Sequence, residues 1–220
     1  MFVGYVQAQE TATATKPARV KAKSGSFDSN GVKIQYVTAG EGEPVILVHG
    51  FTASAMMNWQ QPGVFDALAK DYKVVALDNR GHGRSGKPHE KEKYGVEMVE
   101  DVVRLMDHLG IERAHIVGYS MGGFITGKLL ATHPDRMITA TLGGAGWSRK
   151  DDARAELINE LATSLEQGQG IAPLIRHLTP PGDPQPTEEQ LAGMNQMILL
   201  MNDPLALAAV ARGMGDLEMP

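Results

Sequence analysis

Cysteine is absent from the 220 residues, which removes disulfides, thiolate nucleophiles and cysteine metal sites and leaves the redox compartment open. No stretch approaches the roughly 18 to 20 consecutive apolar residues that carry a helix across a bilayer. Charge of one sign is not in excess: the net charge is −5, with acids and bases mixed along the chain. The one basic run, "KPARVKAK" at 16–23, is a small electrostatic footprint for a nucleic-acid binder and reads as a solvated leader. H-E-x-x-H does not occur, and the glycine-rich "GHGRSGKP" at 81–88 has Pro88 where a Walker loop needs Ser or Thr, so zinc-protease and nucleotide-loop chemistry are poorly supported. No metal, cofactor or nucleic-acid partner is expected.

What is present is a core. Hydrophobic residues make up 42% of the chain, enough for one compact domain with a small insertion. Residues 1–25 form a separate leader by composition. "MFVGYVQAQE" lacks a basic n-region, and "TATATKPARVKAKSG" is polar without apolar periodicity. Two readings stand for it: the tail of a signal peptide on an exported protein, or an ordinary frayed terminus of a cytoplasmic one.

From about Ser26 the pattern becomes structured. "SNG" at 29–31 marks a turn, and "VKIQYVTAG" after it alternates, which fits an antiparallel edge hairpin. "PVILVHG" at 44–50 does not alternate, which indicates a strand buried on both faces of a parallel sheet. "YKVVALD", "AHIVGY" and "RMITATLGG" repeat that character. Between them, residues 60–70, Val96–Leu109 and Met121–His133 show helical spacing, the second stopped by Gly110. Strands alternating with helices over 26–146 specify an α/β sheet with crossover helices.

Beyond "GGAGWSRKDD" no strand pattern appears, and 147–220 reads as a helical cap. Leu157, Leu161 and Leu165 share a face; Thr187 and Gln190 form a capping box; Pro204 opens a last helix. Met194, Met197, Met201, Met214 and Met219 are expected in the cores of these helices, with a pocket-lining role as the alternative.

The chemistry centres on "HIVGYSMGGFITG" at 115–127. Ser120 follows a buried strand and precedes a helix, on the ligand side of an open α/β sheet. Gly118 and Gly122 complete G-x-S-x-G, which allows the tight turn that holds a serine hydroxyl in the open. The free N–H groups at the start of the next helix, Met121 first, face any negative charge that develops beside it. "HGFTAS" at 49–54 ends another central strand, so the Phe51 N–H is the candidate second donor. His49 is read as a structural histidine bonded to that loop, with a base as the alternative. In "DNRGHGRS" at 78–85, Asp78 and Arg80 are expected to hold the loop by hydrogen bonds and an ion pair. His82 as a base is the minor reading there. His115 is placed at the far end of its strand, His133 at a helix C-terminus and His177 in the cap.

"VTAGEGEPVILVHGF", Trp59, "YKVVALDNRGHGRS", "GYSMGG" and "HPDR", in that order, resemble the α/β-hydrolase superfamily, in its capped branch of small esterases, lipases, C–C hydrolases, epoxide hydrolases and haloperoxidase-like enzymes. The resemblance spans about residues 27–220. It implies a three-layer sandwich with a mostly parallel sheet and a helical cap. It also implies a Ser120 nucleophile, oxyanion N–H groups from Phe51 and Met121, and a small-molecule ester as substrate. Serine at 120 argues against dehalogenases and epoxide hydrolases, which carry aspartate at that elbow. The family's acid and histidine follow two further strands after the cap; neither position has a counterpart here. The expectation is a serine hydrolase of small or medium acyl esters whose 220-residue chain is an inactive fragment. The alternatives are a non-catalytic ligand- or partner-binding protein, and a cofactor-free haloperoxidase or C–C hydrolase.

Overall fold

The computed structural model describes residues 19–145 and 152–217. Most of the leader, the expected boundary at 146/147, Trp147 and Met219 lie outside the described residues.

Strands β1 (Lys23–Ser29) and β2 (Val32–Ala39) form an antiparallel hairpin. Its turn puts both Asn30 (φ 55°) and Gly31 (φ 79°) in the left-handed region, the two-residue geometry that matches strand twist. β1 begins three residues before Ser26, so residues 23–25, assigned to the leader from sequence, pair with Thr38, Val37 and Tyr36. The preceding chain is docked as well: the Val20 N–H donates to Asp66 at 3.1 Å.

Strands β3 (Pro44–Val48), β4 (Lys73–Leu77), β5 (Ala114–Tyr119) and β6 (Met137–Gly143) complete one six-stranded sheet. The order is β1-β2-β4-β3-β5-β6, with β4, β3, β5 and β6 mutually parallel and β2 antiparallel to β4. The unbroken apolar runs of β3 and β4 follow from covering on both faces. Ile46, Val48, Val75 and Leu77 pack under helices α2 (Val96–His108) and α3 (Met121–Thr132). Val45, Leu47, Val74 and Ala76 pack on the other face with Trp59, Phe65 and Ala69. This is a three-layer α/β sandwich. The helical signal at 60–70 resolves into two short pieces, a π-helical turn Met56–Gln60 and helix α1 (Val64–Leu68), because Gly63 between them takes φ 86°.

Helices α4 (Asp152–Glu166), α5 (Ala172–Leu178), α6 (Glu188–Met201) and α7 (Pro204–Gly213) form the cap. Leu161, Ala162 and Leu165 of α4 pack with Leu207, Ala208 and Ala211 of α7. α7 also turns Ala209 and Val210 into the core beneath the sheet, so it ties cap to sandwich. The capping box of α6 is formed, with the Gln190 N–H on Thr187 Oγ1 and the Thr187 N–H on Gln190 Oε1. One expectation is corrected here: Met194, Met197 and Met201 are not core residues. α6 buries only Leu191, leaving those methionines about half exposed and Leu200 80% exposed. Their helical spacing is real, but no element covers that face among the described residues.

Candidate active site

The site is built where β3 and β5 run out side by side. Val48 pairs with Gly118, so the chain leaving β3 at Gly50 passes directly against the turn that leaves β5. A methyl group on Gly50 would stand 3.3 Å from Ser120 Cβ. Ser120 takes φ 52°, ψ −117°, a left-handed-side conformation that a non-glycine residue holds only when its surroundings enforce it. They do. The Ser120 N–H donates to the Gly143 carbonyl at 2.7 Å, and the Ser120 carbonyl accepts from the Gly123 N–H at 2.8 Å. A Cβ on Gly118 would overlap the Gly122 carbonyl, and one on Gly122 would overlap the Val48 carbonyl. Both glycines of the motif are therefore steric requirements of the turn.

Because Gly123 and Phe124 direct their N–H groups to Ser120, the first turn of α3 leaves the Met121 N–H without a backbone acceptor among the described residues. The Phe51 N–H has none either. Phe51, Ser120 and Met121 line one cavity of about 370 Å³. The Ser120 hydroxyl makes no hydrogen bond among the described residues. The remaining wall is apolar: Leu157, Ile158 and Leu161 from α4, Leu174 and Leu178 from α5, and Met214 after α7. His177 lines the same cavity. From sequence it was placed only in the cap; its spacing with Leu174 and Leu178 on one face of α5 was the available signal.

Around the turn at 50–55, side chains hold the backbone in place. The Gly50 N–H donates to Asn58 Oδ1 at 2.8 Å, and Thr52 takes φ 60°, unusual for a β-branched residue. Asn58 was not singled out from sequence, and nothing in a lone asparagine eight residues downstream marks it. His49 is buried and structural. Its Nε2 accepts from the Asn79 N–H at 2.9 Å, which places the ring proton on Nδ1, 2.8 Å from the Gly50 carbonyl. Burial pushes its pKa down to about 4, against the smaller opposing effect of the Gly50 carbonyl.

His82 is also fully buried, its ring edge-on to Phe51 and His49. Burial, then the neighbouring His49, push its pKa down to about 3. Nδ1 lies 3.1 Å from the Arg80 carbonyl, Nε2 has no partner among the described residues, and the ring does not bond Ser120. Asp78 accepts from the Ala55 and Arg84 N–H groups at 2.8 and 2.9 Å. The ion pair of this loop is a correction: Arg80 pairs with Asp101 of α2, not Asp78, through a two-pronged contact at 2.6 and 2.7 Å. His115 meets Thr139 and Glu43 at the opposite end of β5, and His133 caps α3. No cluster of three metal-ligating side chains exists among the described residues, and no single helix among them is long and apolar enough to cross a membrane.

The sandwich, the elbow and the cap define a class, and residues 43–174 match the family model of the alpha/beta hydrolase fold. The chain belongs to that family. It is 38% identical over 140 residues to the dihydrolipoyllysine-residue acetyltransferase component of the acetoin cleaving system of Cupriavidus necator, covering 63% of this chain and 36% of that protein. Among solved structures it is similar to the bottromycin epimerase BotH (30% identity, TM-score 0.69, 89% of this chain and 75% of that one). It is also similar to the enol-lactonase of Burkholderia xenovorans LB400 (26% identity, TM-score 0.68, 87% and 73%). The chain spans between about a fifth and a half of the length of the curated relatives it matches. Its described residues form one six-stranded sheet.

Proposed function

We propose that Ser120 is the nucleophile of a serine hydrolase acting on carboxylic esters of small or medium acyl groups. The observation that carries this is the Ser120 turn itself: a left-handed serine with an unbonded hydroxyl, at the head of α3, in an apolar cavity shared with two free backbone N–H groups. A binding protein has no need of that strain. The hydroxyl attacks the ester carbonyl. The Met121 and Phe51 N–H groups receive the oxyanion, the alcohol leaves, and water then releases the acid. The walls from α4 and α5 take the acyl chain.

A base must remove the Ser120 proton, and no histidine bonds the hydroxyl among the described residues. His49 and His82 are buried neutral and held by other partners. In this reading the base and its acid come from strands added to the open edge of β6, where Tyr119 is 50% exposed beside Gly143 and Gly144. The 220-residue chain alone is then nearly inactive on esters. The test is covalent: the gene product carrying those strands is treated with a p-nitrophenyl phosphonate and digested for peptide mapping. The adduct is expected on Ser120. An adduct elsewhere, or none, overturns the assignment.

The lack of a bonded histidine favours a second reading, a non-catalytic protein that binds a small apolar ligand in the same cavity. Cofactor-free haloperoxidase or C–C bond hydrolysis would use the same serine. Ester turnover that depends on Ser120 separates the first reading from these.

A further inference from the structure

A second cavity, of about 340 Å³, lies on the other side of the turn that carries the Phe51 N–H. We propose that it is a binding site for a small amphiphilic carboxylate. The volume is within the range of small-molecule pockets, roughly 300 to 1,000 Å³. Its wall is Thr52 to Ala55, its floor is Val37 and Ala76 of the sheet, and Met57 and Met201 close the sides. Val37, Ala53, Ala55, Met57, Ala76 and Met201 give apolar surface for an alkyl or aryl body, and Thr52 and Ser54 add hydroxyls.

The polar groups select the head. Asp78 is the one carboxylate in the lining, and both its oxygens already accept backbone N–H groups. Arg84 lines the cavity with an exposed side chain that has no partner among the described residues. Gln60 lines it too, and its amide is likewise unengaged. Lys87 bonds the Gly83 and Ser85 carbonyls at 2.6 and 3.1 Å, adding positive charge to the same loop. With both Asp78 oxygens engaged, the charged and amide groups left free in the lining are the Arg84 guanidinium and the Gln60 amide, which suits an anionic head on a planar guanidinium.

The site lies against a segment under tension. Thr52 holds φ 60° with long bonds on either side, Ala53 N–H to the Gly50 carbonyl at 3.4 Å and Asn202 Nδ2 to the Thr52 carbonyl at 3.4 Å. Phe51 faces the serine cavity and Thr52 to Ala55 face this one. An occupant here touches the turn that positions the Phe51 N–H. The inference does not depend on Ser120 acting as a nucleophile.

Methionine methyl groups report the two cavities separately: Met57 and Met201 here, Met121 and Met214 at the serine. The 220-residue chain, labelled with methyl-¹³C methionine and assigned by single Met→Leu variants, is titrated with sodium octanoate and separately with 1-octanol. Octanoate is expected to shift Met57 and Met201 saturably. Arg84→Gln should weaken octanoate by about fivefold and leave octanol unchanged, and added salt should erase the difference. If Arg84→Gln alters the thermal midpoint, the salt dependence of octanoate against octanol in the unsubstituted chain decides instead. Shifts confined to Met121 and Met214, or equal and salt-independent binding of the two probes, overturn the proposal.

Discussion

Single residues set the elbow, and they do so sterically. Gly118 has no room for a side chain, because Gly122 and Thr126 Oγ1 occupy the space a Cβ would take. Gly118→Ala must therefore move backbone, not a flexible side chain. The expected loss is at least about 3 kcal/mol in stability, read from the urea midpoint; an unchanged midpoint would mean the turn is looser than described. The same steric logic made Ser120 legible from sequence, since a buried strand, G-x-S-x-G and a helix are all local in the chain. Asn58 and Asp101 were not legible. Asn58 matters because it meets the Gly50 N–H, and Asp101 because it meets Arg80 across 21 positions. Those partners are set by packing, and the charge pattern around Arg80 pointed to the nearer Asp78 instead.

At the scale of elements, apolar continuity told the strands apart well. β3 and β4 read as buried on both faces because they are, and α2 read as one-sided because its other side meets solvent. α6 shows what periodicity leaves out. Its methionines recur at helical spacing, yet burial depends on whether another element arrives to cover them, and none of the described ones does. α6 should accordingly behave as a local unit. Thr187→Ala removes the side-chain bond to the Gln190 N–H, at a cost of about 1 kcal/mol to that helix. Amide exchange in Glu188–Met201 should accelerate about fivefold, while the global unfolding midpoint stays within error. A matching drop in the global midpoint would show α6 to be integral to the cooperative core.

For the whole molecule, two buried neutral histidines make stability depend on pH. His49 and His82 titrate near 4 and 3 when folded, against 6.5 for an ordinary histidine. Below 6.5 the unfolded chain therefore binds protons that the folded chain refuses. Stability is fully present above 6.5 and falls as pH drops toward 4 and then 3, by roughly 1.4 kcal/mol per unit for each ring. Between pH 6.5 and 5 the pair should cost on the order of 3 kcal/mol, seen as a lower urea midpoint at pH 5 than at pH 7. Equal midpoints would place both rings in solvent.

The most direct measurement of the central claim is a pre-steady-state burst. A protein extended by the strands proposed beyond β6 is mixed with p-nitrophenyl butyrate and p-nitrophenolate release is followed on the stopped-flow timescale. An acyl-enzyme on Ser120 predicts a rapid phase approaching one equivalent per active chain, then slower turnover, with both phases lost in Ser120→Ala. A burst and turnover that survive Ser120→Ala would contradict the account.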